Sequence, residues 1–280
     1  TGFGQTGPYA HRPGYDYLVQ AMGGLMSITG QPEGAAGAEP MKVGVAVADL
    51  FTGMYAVTGI LAALRHAERT GEGQHLDVAL LDCQVAMLAN QAMNFLTSGV
   101  APQRLGNAHP NIAPYQVLET ADGHLVLAVG NDGQFKSFCE VAGHPALPAE
   151  PRFASNALRV ANRAALTAII ADALRSRSTA DWIGALEAAS VPCGPINTID
   201  EVFDDPHVQA RGLVQTMARE DGAAVNLVAS PLRLSQTPPI AQCPPPTLGQ
   251  DTHAVLADIL GLSADRLAAI AAAGVIKADA

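Results

Sequence analysis

Asp49 is a carboxylate in otherwise apolar surroundings, and a charge in such a place needs a chemical explanation. It is the only acidic or basic residue between Val43 and Leu64, in the segment VGVAVADLFTGMYAVTGILAAL. Asp is a preferred N-cap, because its side-chain oxygen accepts bonds from first-turn N–H groups and the helix dipole favours an anion there. We therefore expect an extended segment at residues 41–48 and a helix from residue 50 to about residue 68.

Two interpretations of Asp49 are open at this point. In the first, Asp49 only caps the helix that follows it, which is the common role of an Asp before an apolar periodic segment. In the second, the turn keeps the carboxylate ionised within a mostly dry wall, where it acts as a nucleophile or a base.

Two loops carry further candidates. Tyr15 and Asp16 lie in RPGYDY, a Gly- and Pro-containing loop that displays its side chains, as binding loops do. The aromatic residues on both sides of Asp16 are equally consistent with an anchor for the loop. His109 lies in the loop GNAHP and is a candidate for ligand contact, although a His in such a loop is more often structural or solvated.

Several kinds of site are excluded by the pattern of residues. The Gly-x-Ser-x-Gly elbow is absent, and none of the eight His residues lies in a metal-ligand or nucleophile pattern. The four Cys residues are widely spaced without a C-x-x-C pair, so neither a metal site nor a disulfide framework is predicted. Reduced, cytoplasmic conditions fit this usage best.

Composition predicts a globular protein with a substantial core. The chain has 280 residues, of which 49% are hydrophobic and 15% charged. Its net charge of −10, without a Lys/Arg cluster, argues against nucleic acid as a partner. No signal peptide is visible, and Gly or Asp interrupts each long apolar segment, so we expect a soluble protein without a membrane partner.

The elements around the candidates follow from periodicity and turn residues. We expect a helix at 17–27, where Gly23 and Gly24 either permit close packing or end it, and a long helix at 76–96. Asp122-Gly123 predicts a hairpin, and Gly130-Asn131-Asp132 predicts the start of a helix that continues to Val141. Further expected elements are helices at 162–176, 179–189 (with Trp182 in the core), 252–260 and 264–273, an extended segment at 191–199, strands at 213–217 and 224–228, and a proline-rich segment at 238–246.

Four ordered groups of segments resemble the class III (CaiB/BaiF) CoA-transferases. They are GFGQTGPYAHRPGYDYLVQAMGGLMSITG, VGVAVADLFTGMYAVTGILAALRHAERTGEGQHLDVALLDCQ, GNAHPNIAPYQV with ADGHLVLAVGNDGQF, and VPCGPINT. LGQDTHAVL near the end also fits, so the likeness covers nearly the whole chain. Within the family, the sequence is most similar to succinyl-CoA-dependent transferases of the glutarate and hydroxymethylglutarate type.

The resemblance implies an α/β fold with a Rossmann-like large domain, a smaller α+β domain and an interlocked homodimer. The corresponding division is a large domain at 1–108, a small domain at 109–200, a linker at 201–246 and, at 247–280, helices that return to the large domain. Family members normally carry further residues before this point, and the sequence starts at Thr1 and not at Met. We therefore expect an N-terminal truncation, with weak CoA binding if the protein begins here.

The implied activity is transfer of CoA from a succinyl-CoA-like donor to a small carboxylic or dicarboxylic acid. CoA thioesters are then substrates, and no permanently bound cofactor is expected. Asp49 matches the family's nucleophile, which forms a mixed anhydride and then an aspartyl-CoA thioester. Tyr15 matches a position in the acyl pocket, where racemases of the family carry a His.

The same matching assigns the remaining site residues. Tyr115 and Asp132 correspond to small-domain positions near the active site, contributed by the other subunit, and His109 lies where formyl-CoA transferases carry a Gly-rich lid. Arg12 is expected near the CoA phosphates. Two alternatives stay open, a racemase-like enzyme and a truncated, non-catalytic remnant that binds CoA or dimerises. Tyr15 disfavours the racemase, because a two-base proton exchange then lacks its second base.

Overall fold

The structure is a computed structural model that describes residues 1–219, 222–241 and 243–276. Contacts divide the chain into two compact units, Thr1–Ile196 and Asn197–Ala280. The boundary expected between residues 108 and 109 falls inside the first unit and stays a prediction. In both units the described residues form a mixed α/β arrangement of helices with small antiparallel sheets.

The first unit contains most of the helices. They are α1 (Asp16–Met22), α2 (Leu25–Ile28), α3 (Val47–Thr70), α4 (Leu80–Met87), α5 (Ala89–Ser98), α6 (Asp132–Val141), α7 (Asn156–Ala161), α8 (Arg163–Leu174) and α9 (Thr179–Ala188), with a 3-10 turn at Leu147–Ala149. The strands β1 (Tyr115–Glu119), β2 (His124–Ala128) and β3 (Cys193–Gly194) form an antiparallel sheet in that order. The hairpin predicted at Asp122-Gly123 is confirmed.

The core of the first unit lies between this sheet and the helices that follow it. Leu125 and Leu127 point from alternate positions of β2 into a cluster with Phe138 and Trp182, and all four side chains are buried. The indole N–H of Trp182 donates to the carbonyl of Leu174 at 2.7 Å, which satisfies its polar atom inside the core. The core position predicted for Trp182 is confirmed.

Two helix predictions from periodicity are wrong in their extent. The helix expected at 76–96 begins only at Leu80, because the N–H of Leu80 donates to the carbonyl of Thr1 at 2.9 Å and the preceding residues run extended. A backbone break with a positive φ at Ala89 then separates α4 from α5. The helix expected at 17–27 divides into α1 and α2. A Cβ on Gly23 would lie 2.3 Å from Cγ of Gln84, so glycine here permits close approach of α1 and α4.

Helix α3 contains Asp49 and ends where the sequence predicts, at Gly71 with a left-handed φ of 78°. Within this chain it buries Ala48, whereas Leu50, Met54 and Leu61 are exposed. The dry wall expected around Asp49 is therefore not formed by the described residues alone. By length and composition, α3 is apolar enough to span a membrane, a property that buried helices of large cores share.

The second unit contains four helices and a hairpin among its described residues. They are α10 (Ile199–Asp204), α11 (Pro206–Ala210), α12 (Thr252–Asp258) and α13 (Ala264–Ala272), with β4 (Val214–Ala218) paired antiparallel to β5 (Ala224–Val228). The strands predicted at 213–217 and 224–228 are confirmed. The segment 201–246, expected to be a linker, thus carries regular structure over part of its length.

Candidate active site

Asp49 lies in the first turn of α3 and is not its N-cap. The helix begins at Val47, and the N-cap is Ala46, which has no side chain able to cap. The predicted N-cap position of Asp49 is therefore wrong, because the helix starts two residues before it. The Asp49 side chain is exposed, and its carboxylate makes no hydrogen bond or ion pair with any residue that the structure describes. A negative charge at this end of a helix is stabilised by the helix dipole.

Asp16 performs the capping that the sequence assigned to Asp49. Its Oδ1 accepts a hydrogen bond of 2.9 Å from the N–H of Ala48, in the first turn of α3. Of the two interpretations of Asp16, display in a binding loop or an anchor for the loop, the contact supports the anchor. It joins the first residue of α1 directly to the turn that carries Asp49.

Gln20 is a buried residue that the sequence did not single out. Its side chain is fully buried. The amide nitrogen Nε2 donates to Oδ2 of Asp16 at 2.8 Å, and Oε1 accepts from the N–H of Val43 at 2.9 Å. Gln20 could have been noticed as a polar residue within the apolar segment YLVQAM. The spacing of residues in the sequence does not indicate its hydrogen-bond partners. Gln20 thus fixes Asp16 and the segment leading into α3 to one another.

Tyr15 directly precedes α1 and is displayed to solvent. It occupies the N-cap position of α1 without a capping bond, and 78% of its surface is exposed. With so large an exposed fraction, packing against the described residues does not account for an aromatic side chain at this place. Because the next residue, Asp16, is bound to α3, the backbone of Tyr15 is held beside the turn that carries Asp49.

Arg12 lies against aromatic rings of its own loop. Its guanidinium carbon is 4.6 Å from the ring centroid of Tyr9 and 5.4 Å from that of Phe3, both within the range of cation–π contacts. It makes no ion pair with any residue in the described part of the chain. Arg12 therefore keeps charge and donors for an anion, as the predicted phosphate contact requires.

The His109 loop, residues 107–114, is held by side chains from three helices. Asn94 of α5 exchanges side-chain bonds of 3.2 Å with Asn111. Asn156 of α7 donates to the carbonyl of Asn111 at 2.8 Å and accepts from the N–H of Ala113 at 3.2 Å. Arg163 of α8 donates to the carbonyl of His109 at 2.6 Å. A surface loop with its backbone bound in this way has a fixed conformation.

His109 and Tyr115 meet at the end of this loop. Their ring centroids are 5.2 Å apart, and the N–H of His109 donates to the carbonyl of Tyr115 at 2.9 Å. The ring nitrogen Nδ1 of His109 accepts from the N–H of Asn111 at 3.1 Å, so the imidazole proton lies on Nε2. Burial and the charge of Arg163 both lower the pKa of His109. The residue is thus a neutral hydrogen-bond donor near pH 7.

Asp132 begins α6, beside Asn131, whose side chain caps the helix by accepting from the N–H of Gln134, as the sequence predicts for this turn. Oδ1 of Asp132 lies 2.7 Å from a guanidinium nitrogen of Arg159, a residue that is 1% exposed. The structural role of Arg159 was not predicted, because a buried Arg is rare and its partners Asp132 and Ala113 are distant in the chain.

The predicted site residues form two groups within the described part of the chain. Tyr15 and Asp49 are joined through Asp16, and Arg12 lies in the loop that precedes them. His109 and Tyr115 are in contact at the end of the His109 loop, and Asp132 is linked to that loop through Arg159, which also donates to the carbonyl of Ala113 at 2.7 Å. No hydrogen bond, ion pair or ring contact described in the structure connects one group to the other. A site that uses both groups therefore needs them brought together by more than these contacts.

Comparison with known proteins identifies the family. The model of CoA-transferase family III matches residues 1–252. The chain belongs to this family. The family III chain is 54% identical over 259 residues to the succinate–glutarate CoA-transferase of Agrobacterium fabrum, an alignment that covers 92% of this chain and 64% of the relative. It is 38% identical over 277 residues to the mouse succinyl-CoA:glutarate CoA-transferase, covering 99% of this chain and 63% of the relative.

A solved structure agrees with this assignment. The crystal structure of a CaiB/BaiF family protein from Brucella suis matches with a TM-score of 0.75 and 47% identity, and covers 92% of this chain and 66% of that one. The family III chain therefore spans less than two thirds of the length of these relatives.

Proposed function

We propose that this chain is the Asp49-bearing part of a CoA-transferase that moves CoA from succinyl-CoA, or a similar donor, to a small dicarboxylic acid such as glutarate. Family membership and the named activities of the two glutarate transferases support the reaction class. The observation that carries the assignment of Asp49 is its exposed carboxylate, which has no partner among the described residues, while Asp16 caps the helix in its place.

In the proposed reaction, an oxygen of Asp49 attacks the thioester carbonyl of the donor. The carbon–sulfur bond breaks, CoA leaves as a thiolate, and a mixed anhydride forms. The thiolate then attacks the side-chain carbonyl of Asp49 and releases the donor acid, which leaves an aspartyl-CoA thioester. The acceptor carboxylate attacks this thioester and expels CoA to give a second anhydride. Finally, the thiolate takes the acceptor acyl group and restores the carboxylate of Asp49.

The other candidate residues take roles around this nucleophile. Tyr15, fixed beside the first turn of α3 by Asp16, lines the acyl pocket. His109, Tyr115 and Asp132 come from the partner subunit of an interlocked homodimer, which would bring the two residue groups together. Arg12, which makes no ion pair with any described residue, offers its guanidinium to a CoA phosphate.

The remaining parts of the proposal concern the whole protein. A Rossmann-like large domain would surround the exposed apolar side chains of α3, including Leu50, Met54 and Leu61. CoA thioesters are substrates, and no permanently bound cofactor is required. We place the enzyme in the cytoplasm, without a membrane or nucleic-acid partner.

The test is capture of the covalent intermediate in the full-length protein. Incubation with succinyl-CoA, followed by hydroxylamine or borohydride and peptide mass spectrometry, is expected to place the modification on Asp49 and to find none in Asp49→Asn. Asp82→Asn is the matched control, because Asp82 is also an exposed Asp in the third position of a helix without a side-chain cap. A modification elsewhere, or one that persists in Asp49→Asn, would overturn the assignment.

A further inference from the structure

We propose that Asp16, held in place by buried Gln20, caps helix α3 so that the Asp49 carboxylate stays free to react. The inference rests on the function proposed above and adds a positioning residue to it. Asp16 itself would contact neither substrate nor the reacting atoms.

The first step concerns the N–H groups at the start of α3. The first four N–H groups of a helix have no partner within the helix. Here the N–H of Val47 donates to the carbonyl of Val45 at 2.8 Å, and that of Leu50 to the carbonyl of Ala46 at 3.0 Å. The N–H of Ala48 donates to Asp16. Asp16 thus satisfies a first-turn donor that no backbone carbonyl reaches among the described residues.

The second step concerns the rigidity of Asp16. Both of its carboxylate oxygens are bonded, Oδ1 to the N–H of Ala48 at 2.9 Å and Oδ2 to Nε2 of Gln20 at 2.8 Å. Gln20 is fully buried and also binds the N–H of Val43. An unpaired amide would be costly at that depth, so Gln20 holds Asp16 in one orientation.

The third step is the consequence of losing this cap. Asp49 is the neighbour of Ala48 in the same turn, and a first-turn carboxylate readily accepts bonds from orphan N–H groups. Asp49 is the third residue of α3, and a side chain at that position can bend back to the N–H of the N-cap residue, here Ala46. Without Asp16, the first turn loses its anchor, and the Asp49 side chain could adopt this capping position. Its lone pairs would then be occupied and its attack on a thioester slowed. The cap at Asp16 removes this competing role from the proposed nucleophile.

The experiment compares single-turnover acylation of Asp49 by succinyl-CoA in Asp16 variants of the full-length protein. Asp16→Ala is expected to lower the acylation rate at least about tenfold, while KM for the donor changes less than about twofold. Asp16→Asn keeps an acceptor oxygen for the N–H of Ala48, so its rate is expected between those of Asp16→Ala and the wild type. The pH profile should be the same in all three proteins, because Asp16 transfers no proton.

Asp122→Ala is the matched control. Oδ1 of Asp122 accepts a 2.8 Å bond from the N–H of Thr179, so it too is a distant Asp that caps the first turn of a helix, α9. We expect this variant to lose thermal stability and to keep the wild-type acylation rate within about twofold.

The outcomes separate this inference from the function on which it rests. A wild type that forms no adduct at Asp49 would overturn the proposed function and the inference with it. A wild type that reacts, with Asp16→Ala reacting equally fast or slowed only as much as Asp122→Ala, would overturn the inference alone. If Asp16→Ala fails to fold, a wild-type rate or a shifted pH profile in Asp16→Asn contradicts the inference, and a reduced rate with an unshifted profile supports it.

Discussion

Oδ1 of Asp132 lies 2.7 Å from a guanidinium nitrogen of Arg159, and this contact joins the start of α6 to α7. The Arg159 side chain is almost fully buried. It also donates to the carbonyl of Ala113 at 2.7 Å and to that of Phe153 at 3.1 Å. A buried guanidinium needs both a counter-charge and partners for its donors. Asp132 therefore has a structural partner in addition to any contact with substrate.

We predict that Asp132→Ala lowers the free energy of unfolding by about 1–3 kcal/mol, because it leaves the buried charge of Arg159 without its carboxylate. Asp132→Asn keeps an acceptor oxygen and should lose less. Urea denaturation measures both values. The control is Glu119→Ala, which removes an exposed ion pair with Arg175 at 3.2 Å and should change stability by less than about 1 kcal/mol. Equal losses in Asp132→Ala and the control would contradict a structural role for Asp132.

The His109 imidazole should give the protein a pH-dependent stability. Its pKa in the folded protein is lowered, by burial and by Arg163, below the ordinary value of about 6.5. Between these two pKa values the unfolded chain binds a proton that the folded chain does not, so stability rises with pH in that window. The contribution is complete above about pH 6.5 and is lost as the pH falls through the folded pKa.

Nitrogen-15 NMR of the imidazole would check both parts of this prediction. At pH 7, His109 should appear as the neutral form with its proton on Nε2, because Nδ1 accepts from the N–H of Asn111. His109→Asn can keep that acceptor without a titrating group, so its stability should lose this part of the pH dependence. A doubly protonated His109 at pH 7 would show the prediction to be wrong.

The parts of this fold that could be predicted from sequence are those that local chemistry determines. The turn at Asp122-Gly123 and the Asn131 cap involve residues close in the chain, and both were predicted. The cap of α3 was assigned to the wrong residue, because the true partners, Asp16 and the N–H of Ala48, are 32 positions apart. The Asp132–Arg159 pair spans 27 positions and was missed for the same reason.

The predicted lengths of helices were wrong where tertiary contacts override the periodicity of the sequence. Residues 76–79 have the apolar spacing of a helix, yet the chain stays extended there, and the N–H groups of Leu80 and Leu81 donate to the carbonyls of Thr1 and Gly2 at 2.9 and 3.1 Å. Nothing in the sequence of that segment predicts its pairing with residues 1–2. The prediction placed Asp49 at the N-cap, and the structure places it in the first turn of the same helix. That Asp49 does not cap the helix could be learned only from the structure.

The cysteines should differ strongly in reactivity. Cys139 lies in the core of the first unit, where burial raises the pKa of its thiol to about 12, whereas Cys243 is exposed. Because the thiolate is the reactive form, iodoacetamide at pH 8 should modify Cys243 and leave Cys139 unmodified. Peptide mass spectrometry reports the two sites separately. Unfolding in urea should make Cys139 reactive, and modification of Cys139 in the native protein would contradict its placement in the core.

Tyr15 and Tyr17 offer a matched pair for testing the proposed acyl pocket. They are two positions apart, and 78% and 61% of their surfaces are exposed, so replacing either with Phe should change the free energy of unfolding by less than about 0.5 kcal/mol. If Tyr15 lines the pocket, Tyr15→Phe should lower kcat/KM for CoA transfer at least about fivefold, while Tyr17→Phe leaves it unchanged.

Tyr15 also distinguishes CoA transfer from racemisation. Exchange at Cα by two bases requires a second acid or base opposite Asp49, and a tyrosine phenol is a far less effective general base than an imidazole or a carboxylate. The wild-type protein should therefore transfer CoA without incorporating deuterium at Cα of a 2-methylacyl-CoA in heavy water, as followed by mass spectrometry. Tyr15→His supplies a base of suitable pKa at the same exposed position, so any exchange should appear first in that variant. Rapid exchange in the wild type, with no transfer to glutarate, would instead support the racemase alternative.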